Sequence, residues 1–136
     1  MVIEDYDAVL RLWQNTEGMG LGESDTKEAV SLYLERNPGM SLIARDEKEI
    51  IATVLCGYDG RRGYIYHLAV ATSHRKTGLG KKLVELCIAK LEQLSISRCN
   101  ALVFASNTDG ESFWQHLSWE KRTNVIMFQK KLADQK

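Results

Sequence analysis

The sequence predicts an α/β fold on a mixed sheet, in which an antiparallel meander precedes a parallel strand pair. Three observations carry this expectation. Two early amphipathic stretches are separated by glycines at 18, 20 and 22; three β-branched runs with tight turns between them follow before residue 71; and the third run leads through a short link into a long amphipathic helix and a further apolar run. The 136 residues are 44% hydrophobic with a single proline, enough to bury one core, so residues 1–136 are expected to form one domain.

The elements follow in chain order. From Asp7 to Gln14, Val9, Leu12 and Trp13 share one helical face, and Asp5 or Asp7 is placed to cap it. Asn15 to Ser24 opposes regular structure, and Asp25 with Glu28 reads as a capping box for a second helix to Arg36. Asn37-Pro38-Gly39 ends it, because proline disfavours helical geometry in the residue before it. Ser41–Arg45 and Ile50–Tyr58 read as a hairpin, and Tyr64–Val70 as the third antiparallel strand. Leu83, Leu86, Cys87, Lys90, Leu91 and Leu94 recur at helical steps after Gly80. Ala101–Ala105 is then expected as a strand parallel to Tyr64–Val70, Glu111–Leu117 as a short helix, and Val125–Lys131 as a closing strand.

Eighteen basic and eighteen acidic residues cancel, so no global field draws the chain to nucleic acid or to an anionic membrane. Cys56, Cys87 and Cys99 have no CxxC spacing and leave an odd thiol under any pairing, which favours reduced thiols. Met1-Val2-Ile3-Glu4-Asp5 lacks the layout of a signal peptide, and no apolar run reaches membrane-spanning length. The expectation is a soluble, cytoplasmic protein without a metal.

The chemistry concentrates at Arg75-Lys76-Thr77-Gly78-Leu79-Gly80. A strand ending at Val70, then two glycines opening a long helix, suits an anion: the first amides of a helix lack partners, and its dipole favours negative charge there. Arg75, Lys76, Lys81 and Lys82 add local positive charge. A Walker loop is excluded because the earlier glycine and the Ser/Thr after Lys81 are missing, and a dinucleotide fingerprint because no third glycine follows Gly80.

This pattern resembles the signature of GNAT acetyltransferases, Arg/Gln-x-x-Gly-x-Gly/Ala, preceded by a strand ending like Leu68-Ala69-Val70. The likeness extends over nearly the whole chain, including a drifted form of the family's Phe-Tyr-x-x-x-Gly-Phe at Phe113 to Trp119. The segment Gly57 to Gly63 also looks like a small bacterial branch of that superfamily. The resemblance implies an acetyl-CoA-dependent N-acetyltransferase. The backbone of Leu68, Ala69 and Val70 would pair with the pantetheine arm like an added strand, beside a bulge that opens a V-shaped cleft. Lys76, Thr77, Gly78, Leu79, Gly80 and Lys81 would cradle the pyrophosphate with Arg75, and Asn107 would make a polar contact to CoA.

By the same resemblance the Val70 amide holds the thioester carbonyl as it becomes an oxyanion. His67 is the candidate general base, since imidazole changes charge near neutral pH; strand alternation places it on a face with Ile65 and Ala69, where a half-buried structural histidine is an equal alternative. The chain departs from the family at three places. Trp114 stands where the thiolate-protonating tyrosine is expected, leaving water, Ser112 or Tyr66 as acids; no glutamate precedes the loop; and the first strand is missing, which leaves Ser41–Arg45 as an edge for a homodimer partner to cover. The expected acceptor is a small-molecule primary amine, attacking directly in a ternary complex near the Asn15–Ser24 loop. The alternatives are a catalytically weak CoA-binding sensor or interaction module, and a protein or peptide N-acetyltransferase.

Overall fold

The computed structural model describes residues 1–132; the end of the expected 1–136 unit, residues 133–136, lies outside the described residues. Eight elements follow one another: α1 (Tyr6–Gln14), α2 (Lys27–Arg36), β1 (Leu42–Asp46), β2 (Glu49–Tyr58), β3 (Gly63–Val70), α3 (Leu79–Gln93), β4 (Cys99–Ala101) and α4 (Thr108–His116). Short 3₁₀ turns occupy Ile3–Asp5, Glu23–Asp25 and Thr72–His74. The strands form one sheet in sequence order, antiparallel from β1 to β3 and parallel between β3 and β4.

Two apolar layers cover the two faces. On one, Tyr6, Val9 and Trp13 of α1 and Val30 of α2 pack on Leu55 and Ala69. On the other, Leu83, Val84, Cys87 and Leu91 of α3 pack on Ala52, Val54, Cys56 and Ile65. Each fully buried aliphatic side chain contributes roughly 1.5–3 kcal/mol of transfer free energy. Gly63 is forced by this packing, because a Cβ there would lie 2.5 Å from a Leu91 methyl.

Several boundaries depart from the sequence reading. Asp5 does not cap α1; its carboxylate accepts the Val2 amide and pairs with Arg45 at 2.7 Å. Thr26, not Asp25, caps α2 through the Ala29 amide. Among the described residues no strand precedes α1, and the Met1 ammonium donates to the Ser41 carbonyl at 2.8 Å, beside the start of β1. The strand expected at Ala101–Ala105 ends at Ala101, and Val125–Lys131 is not a strand. Val125, Ile126, Met127 and Phe128 are all largely exposed, with no ladder partner among the described residues.

Candidate functional site

β3 leads into the glycine loop and α3. Gly78 precedes α3 at φ +84°, a left-handed conformation that glycine adopts without strain, and no side chain caps the helix there. The first intrahelical bond runs from Lys82 to Gly78, which leaves the amides of the opening turn without helical acceptors. A Cβ on Gly78 would meet nothing within 4 Å, whereas one on Gly80 would lie 3.2 Å from the Phe113 ring. The two glycines thus differ in kind: Gly78 opens the helix end, and Gly80 admits α4 against α3. Lys76, Thr77 and Lys81 are exposed around the turn, and Thr77 Oγ1 donates to the His74 carbonyl at 2.6 Å. Arg75 turns back and donates from Nε to the Val70 carbonyl at 3.1 Å.

The path of β3 is decided by a bulge. Thr53 pairs with Ala69 and Leu55 with Tyr66, so Val54 faces both His67 and Leu68. His67 takes φ +50° there, unusual for a residue with a Cβ. The extra residue reverses the alternation: Ile65 packs on the α3 face and Ala69 on the α1 face, so the three residues expected on one face do not share it. Pairing with β4 ends just before the bulge, at Ile65 and Ala101, and beyond it the two chains part. Hydrogen-bonded and non-hydrogen-bonded pairs alternate in an antiparallel ladder. Ala71 donates to Ile51, so the neighbouring pair of Val70 and Ala52 is the non-hydrogen-bonded kind. The Val70 N–H and C=O therefore point away from β2, toward the opening between β3 and β4, while Ala69 turns its backbone to β2.

His67 is held on the α1 face. Its Nε2 lies 2.7 Å from Asp25 Oδ1, and its ring meets Trp13 edge-on at 4.8 Å. Both partners are largely buried, with side-chain exposures of 18% and 12%. Asp25 is itself fixed, since its second oxygen accepts the Gly22 amide and its carbonyl accepts the Tyr6 hydroxyl. An ionised carboxylate only accepts, so Nε2 carries the proton in a neutral ring and the lone pair sits on Nδ1. The sequence reading had spent Asp25 on a helix cap. The one signal that set it apart was the adjacent Thr26, an equally good cap.

The loop before α2 closes against the far side of the opening. A Cβ on Gly18 would lie 2.7 Å from Asn107 Nδ2, and one on Gly20 would lie 2.7 Å from Phe104. Asn107 Oδ1 caps α4 through the Gly110 amide. Trp114 sits between Phe113 and Trp119, at 5.2 and 4.4 Å, against the α3-side core. His74 is spent on Asp46 at 3.0 Å and Ser73 at 2.8 Å, and His116 is exposed. Cys56 and Cys87 are buried, and the hydrogen bond with Cys56, followed by burial, raises the Cys87 thiol. No group of three or more metal-binding side chains converges among the described residues.

A model of the Acetyltransferase (GNAT) family matches residues 6–119. An acetyltransferase of Photorhabdus laumondii subsp. laumondii is 29% identical over 138 residues, covering 97% of this chain and 93% of its own. Among solved structures, the PaiA N-acetyltransferase of Thermoplasma acidophilum in complex with coenzyme A superposes with a TM-score of 0.76 at 16% identity, over 86% of this chain and 84% of that one. An aminoglycoside 6'-N-acetyltransferase of Acinetobacter haemolyticus gives 0.74 at 16% identity, over 96% and 94%. At these identities the structural likenesses show the fold.

Proposed function

This chain belongs to the GNAT acetyltransferase family, as an acetyl-CoA-dependent N-acetyltransferase, and from that premise we propose that its acceptor is the primary amine of a small molecule, attacking directly in a ternary complex. The observation that carries the reading is the parting of β3 from β4 after Ile65, which joins an uncapped α3 N-terminus to a histidine held by a buried carboxylate.

The residues fit the cosubstrate. The opening-turn amides of α3, the space over Gly78 and the side chains of Arg75, Lys76, Thr77 and Lys81 suit a pyrophosphate. Leu79 and Gly80 contribute through their backbone. Past the bulge, Leu68 and Val70 offer β3 backbone to a pantetheine arm, while Ala69 contributes by burial under α1. Asn107 keeps Nδ2 beside Gly18 and has Oδ1 committed to α4, so its contact to CoA would come from the amide nitrogen. Acetyl-CoA supplies an activated carbonyl and a stable leaving thiolate.

His67 accepts the amine proton at Nδ1, while Asp25 holds the ring and stabilises the imidazolium. Such general-base catalysis contributes roughly 10²–10⁴-fold. The Val70 N–H stabilises the developing oxyanion, a donor worth about 10²–10³ in rate. Trp114 lies in an aromatic cluster and supplies no acid, so thiolate protonation falls to solvent. Contacts of Gly18 and Gly20 with Asn107 and Phe104 narrow the acceptor side, which supports a small molecule over an extended peptide.

The test is CoA thiol release from acetyl-CoA over a panel of small amines and short peptides. The expected outcome is turnover with at least one small amine, abolished in His67→Ala with acetyl-CoA binding retained. Binding of acetyl-CoA with no acceptor turned over supports instead a sensor module, and a preference for peptides supports the protein-acetylating alternative.

A further inference from the structure

A second cavity adjoins this centre on the α1–α2 side of the sheet. It measures about 290 Å³ and lies between the end of α2 and the β2–β3 hairpin. Its walls are Tyr33, Tyr58, Tyr64 and Tyr66, with Arg36 and Asp59 at the rim. Tyr66 immediately precedes His67 and is the first residue of β3 beyond the pairing with β4, so the cavity abuts the place where the reacting amine must stand. The larger cavity, about 430 Å³ between α3 and the end of α4, includes no residue of β3, and His67 lines neither of the two.

The aromatic walls are preset. The rings of Tyr64 and Tyr66 are nearly parallel, at 11° with centroids 6.0 Å apart, and Tyr33 meets Tyr66 edge-on at 6.3 Å. Tyr33 is fixed from behind: its hydroxyl rests on Gly57, where a Cβ would come within 2.5 Å, and it is buried without a hydrogen-bond partner. Asn37 binds the Tyr33 carbonyl at 3.3 Å and the Tyr58 amide at 3.1 Å, tying two walls to one buried side chain.

The rim disfavours a polycation. Arg36 has no ion-pair partner among the described residues, while Asp59 Oδ1 already accepts the amides of Arg61 and Arg62, both at 2.8 Å. Asp59 is thus already satisfied by backbone amides, and Arg36 is the one cation among the residues that line the cavity. The volume lies at the lower end of the range for small-molecule sites, enough for one ring rather than several.

Building on the N-acetyltransferase reading above, we infer that this tyrosine-walled cavity takes the aromatic ring of the acceptor, so that the substrate is a primary amine joined to a single ring by a short chain. The ring stacks against tyrosine faces and edges, and the chain carries the amine past Tyr66 to His67. Polyamines and multi-ring aminosugars are excluded, by charge and by volume respectively.

The experiment compares kcat/KM for phenethylamine and tyramine with hexylamine, spermidine and kanamycin, in the intact enzyme and in Tyr64→Ala. The ring amines should exceed the other three by about tenfold or more, the scale of one well-filled apolar pocket. Tyr64→Ala should raise KM for phenethylamine about tenfold and KM for hexylamine by clearly less, while leaving KM for acetyl-CoA unchanged. Faster turnover of spermidine or kanamycin, or a Tyr64→Ala effect shared equally by hexylamine, overturns the inference and leaves the acetyltransferase reading standing. If no amine is acetylated, that reading fails instead, and phenethylamine binding decides the inference: a titration signal that Tyr64→Ala weakens sustains it, and an unchanged or absent signal overturns it.

Discussion

Asp25 ties the turn before α2 to β3 through His67, the proposed base. Its separation from His67 by 42 residues explains why local sequence patterns assign it to a cap: both roles require a short acidic side chain, and only the fold brings the imidazole near. Asp25→Asn separates the roles. Asparagine retains a hydrogen bond to Nε2 but can donate through its amide, which favours the tautomer with the proton on Nδ1 and blocks that atom as a base. The expected result is a fall in kcat of roughly 10²-fold or more with KM for acetyl-CoA unchanged, since the contacts proposed for the cosubstrate lie on β3, the glycine loop, α3 and Asn107, not on Asp25. A fall in KM affinity without a change in kcat, read from steady-state thiol release, would place Asp25 outside the chemistry. Val70 is a site candidate by resemblance alone; the direction of its amide follows only from the ladder, through the bond from Ala71 to Ile51.

At the scale of elements, α3 and the meander were largely readable, because buried helix and strand faces impose periods of about 3.6 and 2 on the sequence. A bulge in β3 follows from the resemblance and is there, but its place at His67 was not readable, since one inserted residue leaves no local mark and shows itself only as Ile65 and Ala69 facing opposite layers. Val125–Lys131 failed for the converse reason. Its apolar run satisfies strand propensity, yet a strand also needs a partner edge, and β4 is only three residues long. The glycines of the phosphate loop separate at this scale as well. Gly80→Val should destabilise the fold by about 1–3 kcal/mol by pushing a branched side chain into Phe113, so lost CoA binding there conflates packing with recognition. Lys81→Ala is the cleaner probe. Lys81 is 63% exposed and touches only Glu85 at 3.9 Å, so its loss should leave thermal stability within about 0.5 kcal/mol while weakening CoA several-fold in a calorimetric titration. Equal CoA affinity in Lys81→Ala would remove that side chain from the site.

For the molecule as a whole, balanced charge and two apolar layers leave alkaline pH as a revealing stress, because several buried groups must lose protons on unfolding. Burial raises the Tyr33 phenol, and burial followed by the neighbouring Cys56 pushes the Cys99 thiol up to about 12. Both folded values lie above those of the unfolded chain, near 8.5 for a thiol and 10 for a phenol. The unfolded state therefore binds fewer protons once pH passes those values, and linkage requires stability to fall as pH rises; below about pH 8 the contribution is fully present. Melting temperature should accordingly hold up to about pH 8 and decline above about pH 9, more steeply beyond 10. Two variants divide the decline. Cys99→Ser removes part of the early decline; the rest stays with the Cys87 thiol, which is also raised in the fold. Tyr33→Phe removes part of the later decline, since burial raises the Tyr6 and Tyr66 phenols as well, and because the Tyr33 hydroxyl is buried with no partner among the described residues, its deletion should cost nothing at neutral pH and can even stabilise. The same Tyr33→Phe protein should keep its preference among acceptor amines, since the ring that walls the cavity remains. A loss of more than about 1 kcal/mol at neutral pH would instead mean that this hydroxyl has a partner, and the packing of α2 on Gly57 would have to be redrawn.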